Sequence, residues 1–295
     1  MKKLACVMFV LAVFVFTTAF SPFVPQNHHE QGTFLPVLMY HQIFREPTNL
    51  RGGVSIDMFI WQMRALYDHG FNTVTVRQIV DYVLYDGELP ENPVLITFDD
   101  GYLNVYLYGF PVLDFFGFTA VSFVIGHNVG EFYYKDTGLP VTPKFSFEQA
   151  RRMQHVMDIQ SHSYDMHQFA PFEEGRARET MMMWEGESRA AHKAAVQYDH
   201  LRISNLIYNE LGIEVIAVAF PHGAFDGPLN LILTNLGVYV TFGIEERANY
   251  LVRGRPNSLL GMGRFNVDDQ TSIEELLRLV RYQPCVASDG QFAPR

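Results

Sequence analysis

The chain has 295 residues, 48% of them hydrophobic, and a formal net charge of -10. That supplies enough apolar material for one barrel-sized domain. No block of Lys or Arg lies beyond the N-terminus, so the electrostatic attraction that a nucleic-acid partner requires is missing and that class is set aside.

In chain order, Lys2 and Lys3 precede an uncharged apolar run over residues 4–19, and Pro22 and Pro25 follow in a polar stretch. This is the layout of a secretory signal, and the run is shorter than the roughly 20 residues that comfortably span a bilayer. Thr17 and Ala19 place cleavage near Ala19, so residues 1–19 read as a signal peptide and the protein as exported, secreted or held at the cell surface. An uncleaved N-terminal segment is the alternative. Cys6 falls inside that segment and leaves Cys285 alone, so the mature chain has no internal disulfide. Cys6 opens the apolar run instead of closing it, which argues against a lipid anchor. Residues 20–34, with His28 and His29, read as a linker, residues 35–282 as one catalytic domain, and residues 283–295 as a polar tail.

Short apolar runs then alternate with helical stretches, the pattern of an α/β domain with mainly parallel strands. Seven strands are expected, over residues 36–41, 73–76, 94–98, 120–125, 158–161, 215–220 and 238–242. Helices are expected over 57–69, where Phe59, Ile60, Met63 and Leu66 keep near-helical spacing before Gly70, over 146–153 with Ser146 as N-cap, and over 176–211 before Gly212. Trp61 and Trp184 fall in these helical patterns, where packing is the expected role.

Three segments carry chemistry. The run from Val94 to Phe98 leads directly into Asp99, Asp100, Gly101 and Tyr102, so two acids sit where a buried strand ends, the place where parallel α/β sheets build active sites. Adjacent carboxylates on a strand point to opposite sides, which suits a division of labour in which one ligates a metal and the other serves as base. Capping of an Asp-Gly turn explains them equally well on this segment alone. The second segment holds His162 and His167. Five apart, they would project about 140° from each other on a helix, so they can converge only from a strand end and its loop. Two imidazoles and a carboxylate form the usual open zinc site, and Asp100, His162 and His167 would supply one. The third segment is Phe220, Pro221, His222 and Gly223, a turn after a strand whose backbone N–H groups could serve as oxyanion donors, or simply a tight turn. His69, His127, His155, His192 and His200 are read as structural or solvated.

Together and in this order, these motifs resemble the NodB-type polysaccharide deacetylases, carbohydrate esterase family 4, over about residues 36–268. The opening Met39-Tyr40-His41 run and the five-residue histidine spacing are similar to those of an exported branch. The resemblance implies a distorted (β/α) barrel of about seven strands, Asp99 as general base, and Asp100, His162 and His167 as ligands of a divalent metal, usually zinc. It implies hydrolysis of N-acetyl groups on an amino-sugar polymer such as peptidoglycan, poly-N-acetylglucosamine or a chitin-like glycan, with an N–H near His222 facing the oxyanion. Tyr102 and Phe225 would line the groove. No partner protein is indicated.

The chain departs from that pattern twice. Val218 stands where many relatives carry the Arg that pairs with the base, and Arg264 is the candidate to replace it. No histidine follows His222, so the general acid of many relatives is absent. His41 is the preferred substitute, with His222 or Asp99 itself as alternatives and a purely hydrogen-bonding role for His41 also open. A barrel that binds carbohydrate without efficient turnover, and a metal-dependent amidase with a non-sugar substrate, are the competing readings of function.

Overall fold

The computed structural model describes residues 32–281. The expected signal segment, most of the linker with His28 and His29, Cys6, Cys285 and the polar tail lie outside the described residues.

Eight parallel strands carry the fold: β1 (Val37–Tyr40), β2 (Asn72–Thr73), β3 (Pro93–Asp99), β4 (Ala120–Val124), β5 (Met157–Ser161), β6 (Ala217–Ala219), β7 (Val240–Phe242) and β8 (Phe265–Asn266). Seven of them form one curled sheet in the order β7-β6-β5-β4-β3-β1-β8, with β2 beside the start of β3. Seven helices pack outside: α1 (Ile56–Asp68), α2 (Val76–Leu84), α3 (Phe110–Phe116), α4 (Phe147–Met153), α5 (Arg189–Leu211), α6 (Gly227–Thr234) and α7 (Ile273–Val280). Strands such as Val94 to Phe98 are buried on both faces, which is why they read as continuous apolar runs and not as alternating ones. None of the described helices is long and apolar enough to cross a membrane.

The sheet's two ends approach each other through the segment before β8. Met262 donates its N–H to Thr241 O, Gly243 donates to Met262 O, and Arg264 donates to Glu245 O, while Val267 donates to Met39 O on the other side. A single bridge, Phe242 to Met262, is the regular part of that seam. This is the distorted barrel expected from the sequence.

Three expectations are corrected. Residues 73–76 are a strand only over Asn72–Thr73. Thr75 then caps α2 in a capping box with Gln78, and Val76, Ile79, Val80 and Val83 form its buried face. The β-branched residues suggested a strand, but their spacing is that of a helix. The expected helix over 176–211 begins only after Ser188, whose hydroxyl accepts from Ala191 N. The residues before it run irregularly around Trp184, over which the Arg178 guanidinium lies 4.0 Å from the ring centroid. Trp61 is 61% exposed: α1 turns Phe59, Met63 and Leu66 inward and Trp61 outward.

The core under the mouth is aromatic. Tyr40, Phe59 and Phe98 pack with ring centroids 5.3 to 5.9 Å apart, and the buried Tyr40 hydroxyl donates to Gln62 Oε1 at 3.1 Å. This triad fastens α1 to β1 and β3, the strands that carry His41 and Asp99. Phe59→Ala is expected to cost about 3–5 kcal/mol of unfolding free energy, read from the urea midpoint, because the hole opens among rigid rings that cannot collapse into it.

Candidate active site

Because every strand of the sheet runs the same way, the residues that follow β1, β3, β5 and β6 meet at one mouth. Asp99 ends β3 and Asp100 begins the turn after it. The extended backbone stops there: Asp100 has φ 70°. Left-handed geometry at a non-glycine residue is uncommon and costs of order 1–3 kcal/mol. It swings the second carboxylate back over the mouth, so that both acids border His41 and His162. Ser163 (φ 75°) and His222 (φ 54°) are left-handed as well, so each of the three motifs turns on one strained residue.

Asp100, His162 and His167 converge, with one possible ligand atom from each lying within 4.8 Å of the others. His162 Nε2 is 3.5 Å and His167 Nε2 3.7 Å from Asp100 Oδ1. His162 donates from Nδ1 to Ala219 O at 2.8 Å, which leaves its Nε2 lone pair facing the acid. Asp100 Oδ1 is buried without a hydrogen-bond partner among the described residues. Burial drives both imidazoles toward the neutral form, taking His167 down to about 3 against the pull of Asp100, and depressing His162 also. Burial pushes the Asp100 carboxyl up, but Lys144 and the histidines outweigh it and hold the group below the ordinary carboxylate range. One ionised oxygen without a donor and two neutral imidazoles make a donor set that fits a divalent cation.

Asp99 is built differently. Arg264 is fully buried and grips it with both arms, Nη1 to Oδ1 and Nη2 to Oδ2 at 2.7 Å each, while Nε donates to Gly243 O at 2.8 Å. Burial raises the Asp99 carboxyl, and the guanidinium overcomes that and holds it below its ordinary value. Arg264 thus pairs with Asp99, while Val218 is itself buried among Met166, Val196 and Phe220. His41 Nε2 stands 4.0 Å from Asp99 Oδ2. Its ring is admitted by Gly52, where a Cβ would sit 2.7 Å from His41 Nδ1.

At the third motif Pro221 is buried and His222 is exposed, its ring 4.6 Å from that of His167. The His222 N–H makes no hydrogen bond among the described residues, whereas Gly223 N–H donates to Phe220 O. Tyr102 lies at the rim. Phe225 stacks on Phe220 at 5.0 Å beside Gly261 and remains 37% exposed. His69, His155, His192 and His200 have partners elsewhere in the fold, and His127 is buried against the Tyr164 carbonyl.

The sequence reading missed Lys144. It is 5% exposed, and its ammonium sits 3.5 Å above the Tyr102 ring. Burial lowers it to about 8 against the attraction of Asp100. No motif surrounds it; only the bridge that pairs Lys144 with Tyr102 brings it in.

The buried ion pair gives a testable consequence. Arg264→Met leaves Asp99 as an unpaired buried charge and is expected to cost about 3–5 kcal/mol at neutral pH. Because the native Asp99 pKa lies below its unfolded value of about 3.9, the contribution of the pair is complete above that pH and is lost as pH falls toward the native value. Urea unfolding of both proteins between pH 7 and 3 should show the gap between them narrowing as pH falls, first as burial lets the unpaired Asp99 of the variant take up a proton and then, below about pH 4, as the wild-type pair loses its contribution.

The polysaccharide deacetylase family profile matches residues 86–241, more than half of the chain. A Bacillus subtilis protein that carries a polysaccharide deacetylase name, YxkH, is 35% identical over 137 residues, 46% of this chain and 44% of that one. A poly-beta-1,6-N-acetyl-D-glucosamine N-deacetylase of Staphylococcus epidermidis is 24% identical over 189 residues, 63% of this chain and 60% of that one. The match therefore spans less than two thirds of the length of either relative. A solved de-N-acetylase of Aggregatibacter actinomycetemcomitans superposes with a TM-score of 0.68 at 21% identity, covering 84% of this chain and all of that one, and shows the same fold. With the profile spanning β3 to β7 and the Asp99-Asp100, His162-His167 and Pro221-His222 turns lying inside it, this chain belongs to the polysaccharide deacetylase family.

Proposed function

We propose that the protein is a metal-dependent N-deacetylase acting outside the cell on an amino-sugar polysaccharide. The observation that carries the reading is the separation of two acids one residue apart: Asp100 is aimed at two neutral imidazoles, and Asp99 is locked on Arg264. A divalent cation, usually zinc in families of this kind, would be held by Asp100, His162 and His167 and would supply Lewis-acid activation of water and of the acetyl carbonyl.

The chain's own groups do the rest. Asp99, kept ionised at neutral pH by Arg264, takes the proton of the attacking water. Its bidentate clasp fixes both oxygens, so the carboxylate cannot rotate away from the mouth. Charge that develops on the carbonyl oxygen is met by the free N–H of His222, held in place by the strained turn after Pro221. His41, within 4.0 Å of Asp99, returns a proton to the departing amine. Tyr102 keeps its hydroxyl protonated, since burial raises it and the charge of Asp100 and its hydrogen bond to Asp100 raise it further, so the phenol is a fixed neighbour of that carboxylate. Acetate and a free amine leave.

The substrate is an N-acetylated glycan of the cell wall or its surroundings, and poly-beta-1,6-N-acetyl-D-glucosamine, named for the S. epidermidis relative, is the first polymer to test. The apolar run at residues 4–19 supports export.

Acetate release from that polymer, acetylated chito-oligomers and peptidoglycan should depend on added metal and stop with a chelator. Asp99→Asn is expected to lower kcat by about 100-fold or more with metal retained. His162→Ala is expected to lose the metal itself. Stoichiometric zinc in a wild-type protein that releases acetate from none of these glycans would refute the proposal.

A further inference from the structure

The two histidines of the triad are held in different ways. His162 is fixed through its own ring by the Ala219 carbonyl. His167 has no such tie, because its Nδ1 is buried without a hydrogen-bond partner among the described residues. Contacts with the rings of Phe169 and His222 limit its tilt. Its location depends on the backbone of the loop over residues 163–167.

That backbone is pinned from the side away from the mouth. Asp199, in the middle of α5, accepts from Tyr164 N on Oδ1 at 2.8 Å and from Asp165 N on Oδ2 at 2.7 Å. Its carboxylate is 5% exposed, and burial pushes it up to about 6 while the two backbone donors pull it down. Around this clamp, Met166 N donates to Ser163 Oγ at 3.0 Å and Gly126 N to Ser163 O at 3.0 Å. A buried acid in a helix is costly unless its acceptors are used, and here both are used on the two residues that lead to His167.

We propose that Asp199 is a positioning residue for the metal site: by clamping the N–H groups of Tyr164 and Asp165 it places His167 opposite Asp100 and His162, and so sets the affinity for metal. The inference rests on the reading of those three residues as a metal site. It extends outward, to a residue that touches none of them, the support that metal ligands draw from their surroundings. Asp199→Asn keeps the volume but turns an amide NH2 toward one of the two backbone donors, so the loop must give way.

The test uses zinc itself. Calorimetric titration of the metal-free full chain should show zinc binding 10- to 100-fold weaker in D199N than in wild type. The visible absorption of the cobalt(II)-loaded protein should change as one imidazole leaves the coordination sphere. A role in folding alone would lower the unfolding midpoint of the metal-free protein and leave both readouts unchanged, and that result overturns the inference. If D199N does not fold, D199E, which carries the carboxylate one methylene further, must shift zinc affinity at least tenfold for the inference to stand. A wild-type protein that binds no zinc defeats the metal-site reading. A wild-type protein that binds zinc as D199N does defeats only this inference.

Discussion

The buried pair of Arg264 and Asp99 is the constraint on which the barrel and the site both depend. A guanidinium with no exposed surface is tolerable only if its donors are used, and here Asp99, Gly243 and Thr97 take them. Those acceptors lie on β3 and just after β7, on opposite sides of the gap in the sheet. The Arg264 backbone spans the same gap, donating to Glu245 O just before β8 joins β1. One residue therefore closes the seam with its main chain and holds the Asp99 carboxylate with its side chain. Loss of the guanidinium removes the partner of Asp99 and a structural strut together.

Around that pair the mouth is shaped by backbone strain. Asp100, Ser163 and His222 each adopt left-handed geometry without the freedom of glycine. Each follows a parallel strand, where the chain would otherwise run straight out into solvent. The sharp reversal sets Asp100 at the mouth, starts the loop that carries His167, and leaves the His222 N–H without a hydrogen-bond partner among the described residues. Such turns persist only when the surroundings over-determine them. At Ser163 the surroundings are visible: its N–H meets Ser161 Oγ, its carbonyl takes Gly126 N, and its hydroxyl takes Met166 N.

How much of this could be read from the sequence follows from what is local. The three motifs are contiguous, and the strand preceding each is an apolar run, so Asp99, Asp100, His162 and His222 could be placed at strand ends without coordinates. Arg264 could be suspected because a buried base lacking its usual partner needs one from elsewhere. Lys144 and Asp199 could not. Lys144 reaches the site through a pairing with Tyr102 across 42 positions, and Asp199 sits in a helix whose polar residues look like any solvated face. The α2 segment is legible in principle, since Thr75 and Gln78 form a capping box and Val76, Ile79, Val80 and Val83 are spaced as one helical stripe. The late start of α5 was hidden because Arg176, Arg178 and Trp184 have helical composition, and their stacking belongs to tertiary structure.

The place from which the base's cation comes also bears on what replaces the absent arginine at position 218. Val218 is core, packed in one cluster with Met166, Val196 and Phe220. Arg264 reaches Asp99 along the interior past one intervening strand, with the Phe123 ring 5.8 Å from its guanidinium carbon. An arginine needs a planar, two-armed approach to a carboxylate, and the seam offers one because β3 and the segment before β8 are separated only by β1. The geometry of the pair is constrained and the strand that delivers it is not, so an arginine beside β8 can clasp the carboxylate at the end of β3.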